Sequence, residues 1–348
     1  MTTIHTARPS CVESLESRTL FSTPGDTLPN ITDTATDAAG NVYRAGRFTG
    51  TIDFDSSASG TTNLVAQSTD AYVAKFAPDG TLLWARRWGN ATPIALPKIG
   101  VTPAGAVFLA ADYAGTIDLD PSSGVSNIAQ AGTNPNVFLV RLDTSGNLVR
   151  ANAFSTPSQD MLAADVVTTP DGHVALVANG NVPGIDNGDD KKGDCQFYLL
   201  TARLRTTVNH RWATFLPYGV VAANSVAAGP TGAVYIAGAS YPFVDFAPGR
   251  RVRTTDGILR DSPFLLRIAP GGRFDWVVGY RTGTLHIDHV DAADNVSVWG
   301  FYSDANDFNP SPRKTFFLHA PDGDDAGDYT ALFSSRGALI SAEDTTLA

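Results

Sequence analysis

Cysteine is nearly absent. Cys11 and Cys195 are the only two in 348 residues, so neither a disulfide framework nor a paired-cysteine zinc spacing can be built. Histidine is also scarce, with six in the chain. The closest pair, His286 and His289, would point to opposite faces of a strand and so cannot readily share a metal. No apolar run approaches the roughly 18 residues of a membrane span, and residues 1–22 lack the apolar centre of an ordinary secretory signal peptide. Basic charge is in deficit: the net charge is -10. That disfavours nucleic acid and anionic membranes as partners and fits a soluble protein or one that binds cations. No nucleophile elbow, phosphate loop or His-Glu-x-x-His motif is present. No long segment repeats its apolar residues every 3.6 positions, so little helix is expected.

What the chain does have is one phrase repeated along its length. The first copy reads Gly40-Asn41-Val42-Tyr43, Thr51-Ile52-Asp53-Phe54-Asp55, Tyr72-Val73-Ala74-Lys75-Phe76, Asp79-Gly80 and Leu83-Trp84-Ala85. The second has Gly105-Ala106-Val107-Phe108, Thr116-Ile117-Asp118-Leu119-Asp120 and Phe138-Leu139-Val140-Arg141-Leu142. Weaker copies follow, and the fifth is read as Asn295–Val298, Asp307–Pro310, Phe316–His319 and Asp322-Gly323. The aligned aspartates 53, 118, 186, 245 and 307 stand 65, 68, 59 and 62 residues apart. A fixed period of this length marks one structural unit stacked on the next.

Each unit is strand-like. Valine, isoleucine, tyrosine and phenylalanine gather in short runs bounded by turn sequences such as Pro78-Asp79-Gly80. Four strands are legible per copy: a first (Ile31–Thr36, Met161–Thr168), a second (Asn41–Ala45, Ala233–Gly238), a third (Ala71–Phe76, Phe264–Ile268) and a fourth (Leu82–Arg86, Phe274–Val278). The expected fold is an all-β propeller of four-stranded antiparallel blades, five in number. Residues 25–340 form its single domain, with blades at about 30–89, 94–156, 160–216, 220–281 and 284–335. Residues 1–24 are a leader and residues 341–348 a tail. Because Phe21-Ser22-Thr23-Pro24 echoes Phe154–Pro157, residues 19–23 are a candidate outer strand closing the last blade near residues 331–334. Strand directions alternate, so short first-to-second and third-to-fourth turns share one face. The long, varied second-to-third connections share the other, and they mark the expected binding face.

The repeated aspartates are the first candidates for chemistry. Asp53 with Asp55, and Asp118 with Asp120, form Asp-x-Asp pairs that could hold calcium if other oxygens completed the shell. The same carboxylates could instead accept backbone N–H groups of their own turn, and retention in every copy favours that role. Phe48, Tyr113, Tyr241, Phe243, Phe301 and Tyr302, in or beside the long connections, are candidates for stacking on sugar rings, or for packing between blades.

With these phrases laid out, the chain resembles the long-blade propeller repeats of secreted bacterial proteins, of seven-bladed-propeller type. Their Val-Asp-Phe-Asp-Pro, Ala-Lys-Phe and Trp-Ala phrases are matched best at Thr51–Asp55, Val73–Phe76 and Trp84-Ala85. The likeness covers roughly residues 30–335. Separately, Leu15-Glu16-Ser17-Arg18-Thr19-Leu20-Phe21 is similar to the Leu-Glu-Pro-Arg-x-Leu-Leu leader of exported planctomycete proteins, with Ser17 for proline and Phe21 for leucine. That resemblance implies an extracellular or cell-surface location. The expectation is a monomeric, non-enzymatic binding or scaffold propeller that engages protein or polysaccharide through its long-loop face. It would need no cofactor, calcium apart. The alternative is a carbohydrate-active lyase or hydrolase with carboxylates at the mouth of the central channel.

Overall fold

A computed structural model describes residues 30–346, apart from residues 56, 58–59, 123, 130–134, 155–160, 182–194, 204–208, 216–220, 241–245, 247–261, 271, 281–282, 304–305, 310–313 and 320–325. All regular structure among the described residues is β. The first sheet contains β1 (Ile31–Thr36), β2 (Val42–Phe48), β5 (Asp70–Phe76) and β6 (Leu82–Trp88). A small hairpin of β3 (Thr51–Asp53) and β4 (Asn63–Val65) is inserted between β2 and β5. The second sheet repeats the plan with β7 (Lys98–Val101), β8 (Val107–Tyr113), β11 (Asn136–Leu142) and β12 (Leu148–Phe154), and the hairpin β9 (Thr116–Asp118) and β10 (Asn127–Ala129). The third runs β13 (Met161–Thr168), β14 (Val174–Asn181), β15 (Cys195–Arg203) and β16 (Asn209–Phe215), the last two described as backbone. The fourth runs β17 (Val221–Ala228), β18 (Val234–Ser240), β19 (Ser262–Ile268) and β20 (Phe274–Gly279). The fifth has β21 (His286–Val290), β22 (Val296–Ser303), β25 (Ala326–Phe333) and β26 (Leu339–Asp344). Its inserted hairpin is β23 (Asn306–Asp307) and β24 (Phe317–Leu318). Every pairing is antiparallel. The inner strands pack in succession, β1 on β7, β7 on β13, β13 on β17 and β17 on β21. The fold is therefore an all-β, propeller-like arrangement of four-stranded antiparallel sheets.

One turn is used throughout, and its chemistry explains the repeated glycines. At residues 37–41 the N–H of Asp37 donates to the Asn41 carbonyl and the N–H of Gly40 to the Asp37 carbonyl, at 3.1 and 3.0 Å. The same pair of bonds recurs at 77–81, 102–106, 143–147, 169–173, 229–233, 269–273, 291–295 and 334–338. This is a three-residue hairpin loop whose last residue must adopt a positive φ. Glycine fills it in eight of these nine turns, and Asp294 (φ 66) in the ninth.

Sheets are tied by buried polar groups as well as by apolar packing. The Asp33 carboxylate accepts from the Ile99 N–H at 2.9 Å, Asp165 from Val226 at 2.9 Å, Asp112 from Ala163 at 2.6 Å, and the Ser225 hydroxyl from Ile287 at 3.0 Å. Each of these bonds crosses from one sheet to the next. On the outside, Trp84 of β6 donates Nε1–H to the Thr144 carbonyl at 3.1 Å, and Trp276 of β20 donates to Ser335 at 3.0 Å. A Cβ on Gly146 or Gly337 would lie 2.9 Å from these two indoles. Each ring thus clamps the outer turn of the following sheet.

The structure departs from the sequence-based boundaries in three places. The second-to-third connections are not plain loops, because three of them carry the small hairpins. In the fifth copy, Phe316–His319 is not the third strand: Phe317-Leu318 belongs to the inserted hairpin, and the third strand is Ala326–Phe333. The apolar run misleads because the true strand reads Ala-Gly-Asp-Tyr-Thr-Ala-Leu-Phe, with polar side chains on alternate positions. Consequently the fifth sheet extends to Asp344, beyond 335 and into the expected tail. The edge beside Ala331 and Phe333 is filled by β26, through Ala331↔Ala342 and Phe333↔Leu339, so that position is not open to a strand from the leader. Residues 19–23 themselves lie outside the described residues.

Candidate functional site

The repeated aspartate ends the first strand of each small hairpin. Asp53 Oδ1 accepts from the N–H groups of Asp55 (3.0 Å) and Thr62 (2.8 Å). Asp118 Oδ1 accepts from Asp120 (3.0 Å) and Ser126 (2.8 Å), and Asp307 Oδ1 from Asn309 (3.0 Å) and Phe316 (2.8 Å). One oxygen therefore bridges the two ends of the hairpin loop in all three. The second aspartate of each pair continues the chain of turns. Asp55 Oδ1 accepts from the Ser57 N–H and Asp120 Oδ1 from the Ser122 N–H, both at 2.9 Å. Hydrogen bonds from the Ser57 side chain and backbone hold the Asp55 carboxyl below its ordinary range. Asp186 and Asp245 lie outside the described residues. Among the described residues, no three acidic, histidine or cysteine side chains gather as a metal-ligating group.

The aromatic candidates divide. Phe48, Tyr113 and Tyr302 are not sugar platforms. They are 2 %, 2 % and 0 % exposed, because β2, β8 and β22 run on through these positions and turn them inward. Phe48 meets Phe54 and Tyr72 edge-on, and Tyr302 meets Phe308 and Tyr329. Tyr241 and Phe243 lie outside the described residues. The apolar side chains that do face solvent in the inserted hairpins are Val65, Val125, Phe316 and Phe317. Periodicity could not single these out, because three-residue strands carry too few alternations.

A cavity of about 490 Å³ opens on the opposite, short-turn face. Its wall is built by the first turn of every sheet: Thr36–Ala38, Val101 and Pro103, Thr168–Pro170, Ala228–Pro230 and Val290–Ala292. Two carboxylates stand at this mouth, as the enzyme alternative requires, but both are turned into their own loops. Asp37 Oδ1 accepts from the Ala39 and Asn41 N–H groups, each at 3.0 Å. Its Oδ2 accepts from Asn41 Nδ2 at 2.8 Å and the Tyr43 hydroxyl at 2.9 Å. Burial works to raise the Asp37 carboxyl, and the bonds from Asn41 and Tyr43 outweigh it and hold it low. Asp291 is bound in the same way by Ala293 and Asn295.

Among the described residues, a charged node joins the fourth and fifth sheets. Arg267 donates Nη2–H to Asp294 Oδ2 at 2.5 Å and Nε–H to the Tyr235 hydroxyl at 2.9 Å, and it pairs with Asp275. Tyr235 in turn donates to the Asp294 carbonyl at 2.7 Å. Burial pushes the Tyr235 hydroxyl up to about 12 even though Arg267 works against it. The node explains why an aspartate occupies a glycine position: its side chain reaches Arg267 and Thr231, at the cost of a left-handed backbone. Asp294 Oδ1 stays buried without a hydrogen-bond partner, against Gly229. Of the histidines, His286 stacks on Trp299 at 4.6 Å and His289 pairs with Asp288 at 2.7 Å.

No protein-family model matches the chain. Nor does any curated protein match it significantly. Among solved structures, the chain is similar to a protein of unknown function from Dyadobacter fermentans DSM 18053, at 13% identity and a TM-score of 0.40, over 90% of this chain and 92% of that one. The particular repeat family and the leader motif rest on the quoted phrases alone.

Proposed function

We infer that the chain is a five-bladed propeller that works as a non-enzymatic binding module at the cell surface, engaging protein or polysaccharide through its long-loop face. The blade count is supported by the five first turns that ring one cavity. The observation that carries the functional reading is a division of labour within each copy. Recurring residues of the phrase are occupied internally, Asp53, Asp118 and Asp307 by loop N–H groups and Trp84 and Trp276 by the next sheet's turn. The divergent residues of the inserted hairpins are the ones left in solvent, with Val125 72 % and Val65 56 % exposed. Recognition residues are carried by variable surface connections on a constant scaffold, and these exposed positions are where the copies differ. Calcium is not needed for such a surface, because the hairpin loops already satisfy the Oδ1 atom that a cation would compete for. A glycan array probed in calcium and in chelator, with released products analysed by mass spectrometry, tests the reading. Binding in both conditions without product is expected. Cleaved sugar would instead favour the lyase or hydrolase alternative.

A further inference from the structure

The repeated aspartate stands on the outer face of each inserted hairpin. In the first hairpin, register sets Asp53 opposite Asn63 and Thr51 opposite Val65. In the second, it sets Asp118 opposite Asn127 and Thr116 opposite Ala129. In the fifth sheet, Asp307 faces Phe317. Partners in register project to the same side. The alternate residues Ile52, Leu64, Ile117 and Ile128 turn the other way and pack on the core beneath. On the outer side Asp53, Asn63 and Asn127 are exposed and Asp118 is half-buried. Phe317 is 50 % exposed, with the exposed His319 ring 6.3 Å from its own.

The loops use only one oxygen of each aspartate. Oδ1 of Asp53, Asp118 and Asp307 takes the two N–H bonds described above. Among the described residues, no hydrogen bond reaches Oδ2 of these three, or the carboxamides of Asn63 and Asn127. The first two hairpins therefore each offer an anionic acceptor and an amide that both donates and accepts, about 5 Å apart at Cβ. Residues 49–69 and 114–129 contain no lysine or arginine.

This set of groups selects among ligands. A cation needs acceptors alone and has no use for the amide donor. An anionic polymer would meet carboxylates with no base to offset them. Two neighbouring hydroxyls of a sugar ring satisfy both members, one donating to Oδ2 and the other accepting from the amide. In the fifth sheet the same carboxylate faces a phenyl ring, whose broad apolar surface suits the C–H face of a pyranose. The Asp–Asn pair recurs on adjacent sheets, and a repeated site suits a ligand that itself repeats.

We propose that the outer faces of the inserted hairpins are subsites for a neutral, hydroxyl-rich polysaccharide. Asp53 with Asn63, and Asp118 with Asn127, each clasp a pair of ring hydroxyls, and Phe317 stacks on a ring beside Asp307. The proposal rests on the reading of the long-loop face as the binding face, and adds the polymer and the atoms that hold it.

The test is affinity electrophoresis of the full chain in gels cast with galactomannan, mixed-linkage glucan or alginate, all in chelator. A neutral polymer should retard the natural chain and alginate should not. Asn63→Ala/Asn127→Ala removes the two donors without touching the loop bonds, and should weaken that retardation about tenfold. Phe317→Ala should weaken it too, with melting temperatures unchanged in both variants. Retardation that survives both variants overturns the proposal. If Val65→Ser/Val125→Ser/Phe317→Ser abolishes it in the same gels, the long-loop face still stands as the binding face and only the polar clasp fails. Retardation in alginate alone, or in none of the gels, also overturns the proposal. Capture of a surface protein by the natural chain and not by the triple variant would then leave the broader reading standing.

Discussion

At the scale of single residues, the repeated carboxylates work as connectors. Asp53 and Asp118 each accept two backbone N–H groups, so Asp53→Ala or Asp118→Ala leaves those donors to water and should cost about 1 kcal/mol per site. Thermal denaturation with calcium or chelator should give the same loss in both, because no ion is replaced. Asp112 behaves differently. Burial raises its carboxyl to about 7, with the Ala163 N–H working in the opposite direction. In the unfolded chain the same group titrates near 3.9. The folded state therefore holds an extra proton between those values, and this part of the stability is complete below pH 4 and lost as pH rises through 7, at about 1.4 kcal/mol per pH unit. Asp112→Asn keeps the acceptor oxygen and removes the titration. Denaturant melts should show the variant gaining on the natural chain from pH 4 to 7. Sequence could suggest the capping role of the aspartates from their retention. It could not show that Asp112 is sealed between two sheets, nor that Phe48, Tyr113 and Tyr302 point inward, since that depends on how far each strand runs into its connection.

At the scale of elements, the three-residue turn and the tryptophan clamp fix how one sheet meets the next. Trp84 is 8 % exposed and lies against Gly146 at a φ of +78°. Trp84→Ala should cost about 3–5 kcal/mol. Gly146→Ala should also destabilise, through both the backbone and the 2.9 Å approach to the indole. Measured together, the two losses should fall short of additive, because each loosens the same contact. Much of this level was legible: β1 and β13 carry the bounds that alternation and turn residues give. The inserted hairpins were not, since Thr51–Asp53 and Asn63–Val65 are too short to show a period. The fifth copy misled because a run of two phenylalanines and a leucine outweighed a half-polar strand, in which Asp328 and Thr330 are exposed on alternate positions.

At the scale of the molecule, the two faces have different characters. The short-turn face is uniform, and its cavity is ringed by loops whose carboxylates are already bound. The long-loop face carries the hairpins, and the copies differ most there in length and in the side chains they expose. Composition alone set the sign of the surface, with a net charge of -10, which steers the protein away from polyanions. No helix among the described residues is long and apolar enough to cross a membrane. The ligand was not legible, because the phrase that repeats is the part that folds.

The most direct measurement is the binding of a polysaccharide and surface-protein panel, in chelator, by the natural chain and by Val65→Ser/Val125→Ser/Phe317→Ser. All three sites are exposed hairpin positions, so the fold and melting temperature should hold. The natural chain should bind a panel member without cleaving it, and the triple variant should lose that binding by at least about tenfold, or 1.4 kcal/mol. Undiminished binding by the variant, release of cleaved product, or binding that appears only with calcium would contradict the assignment of recognition to the hairpins.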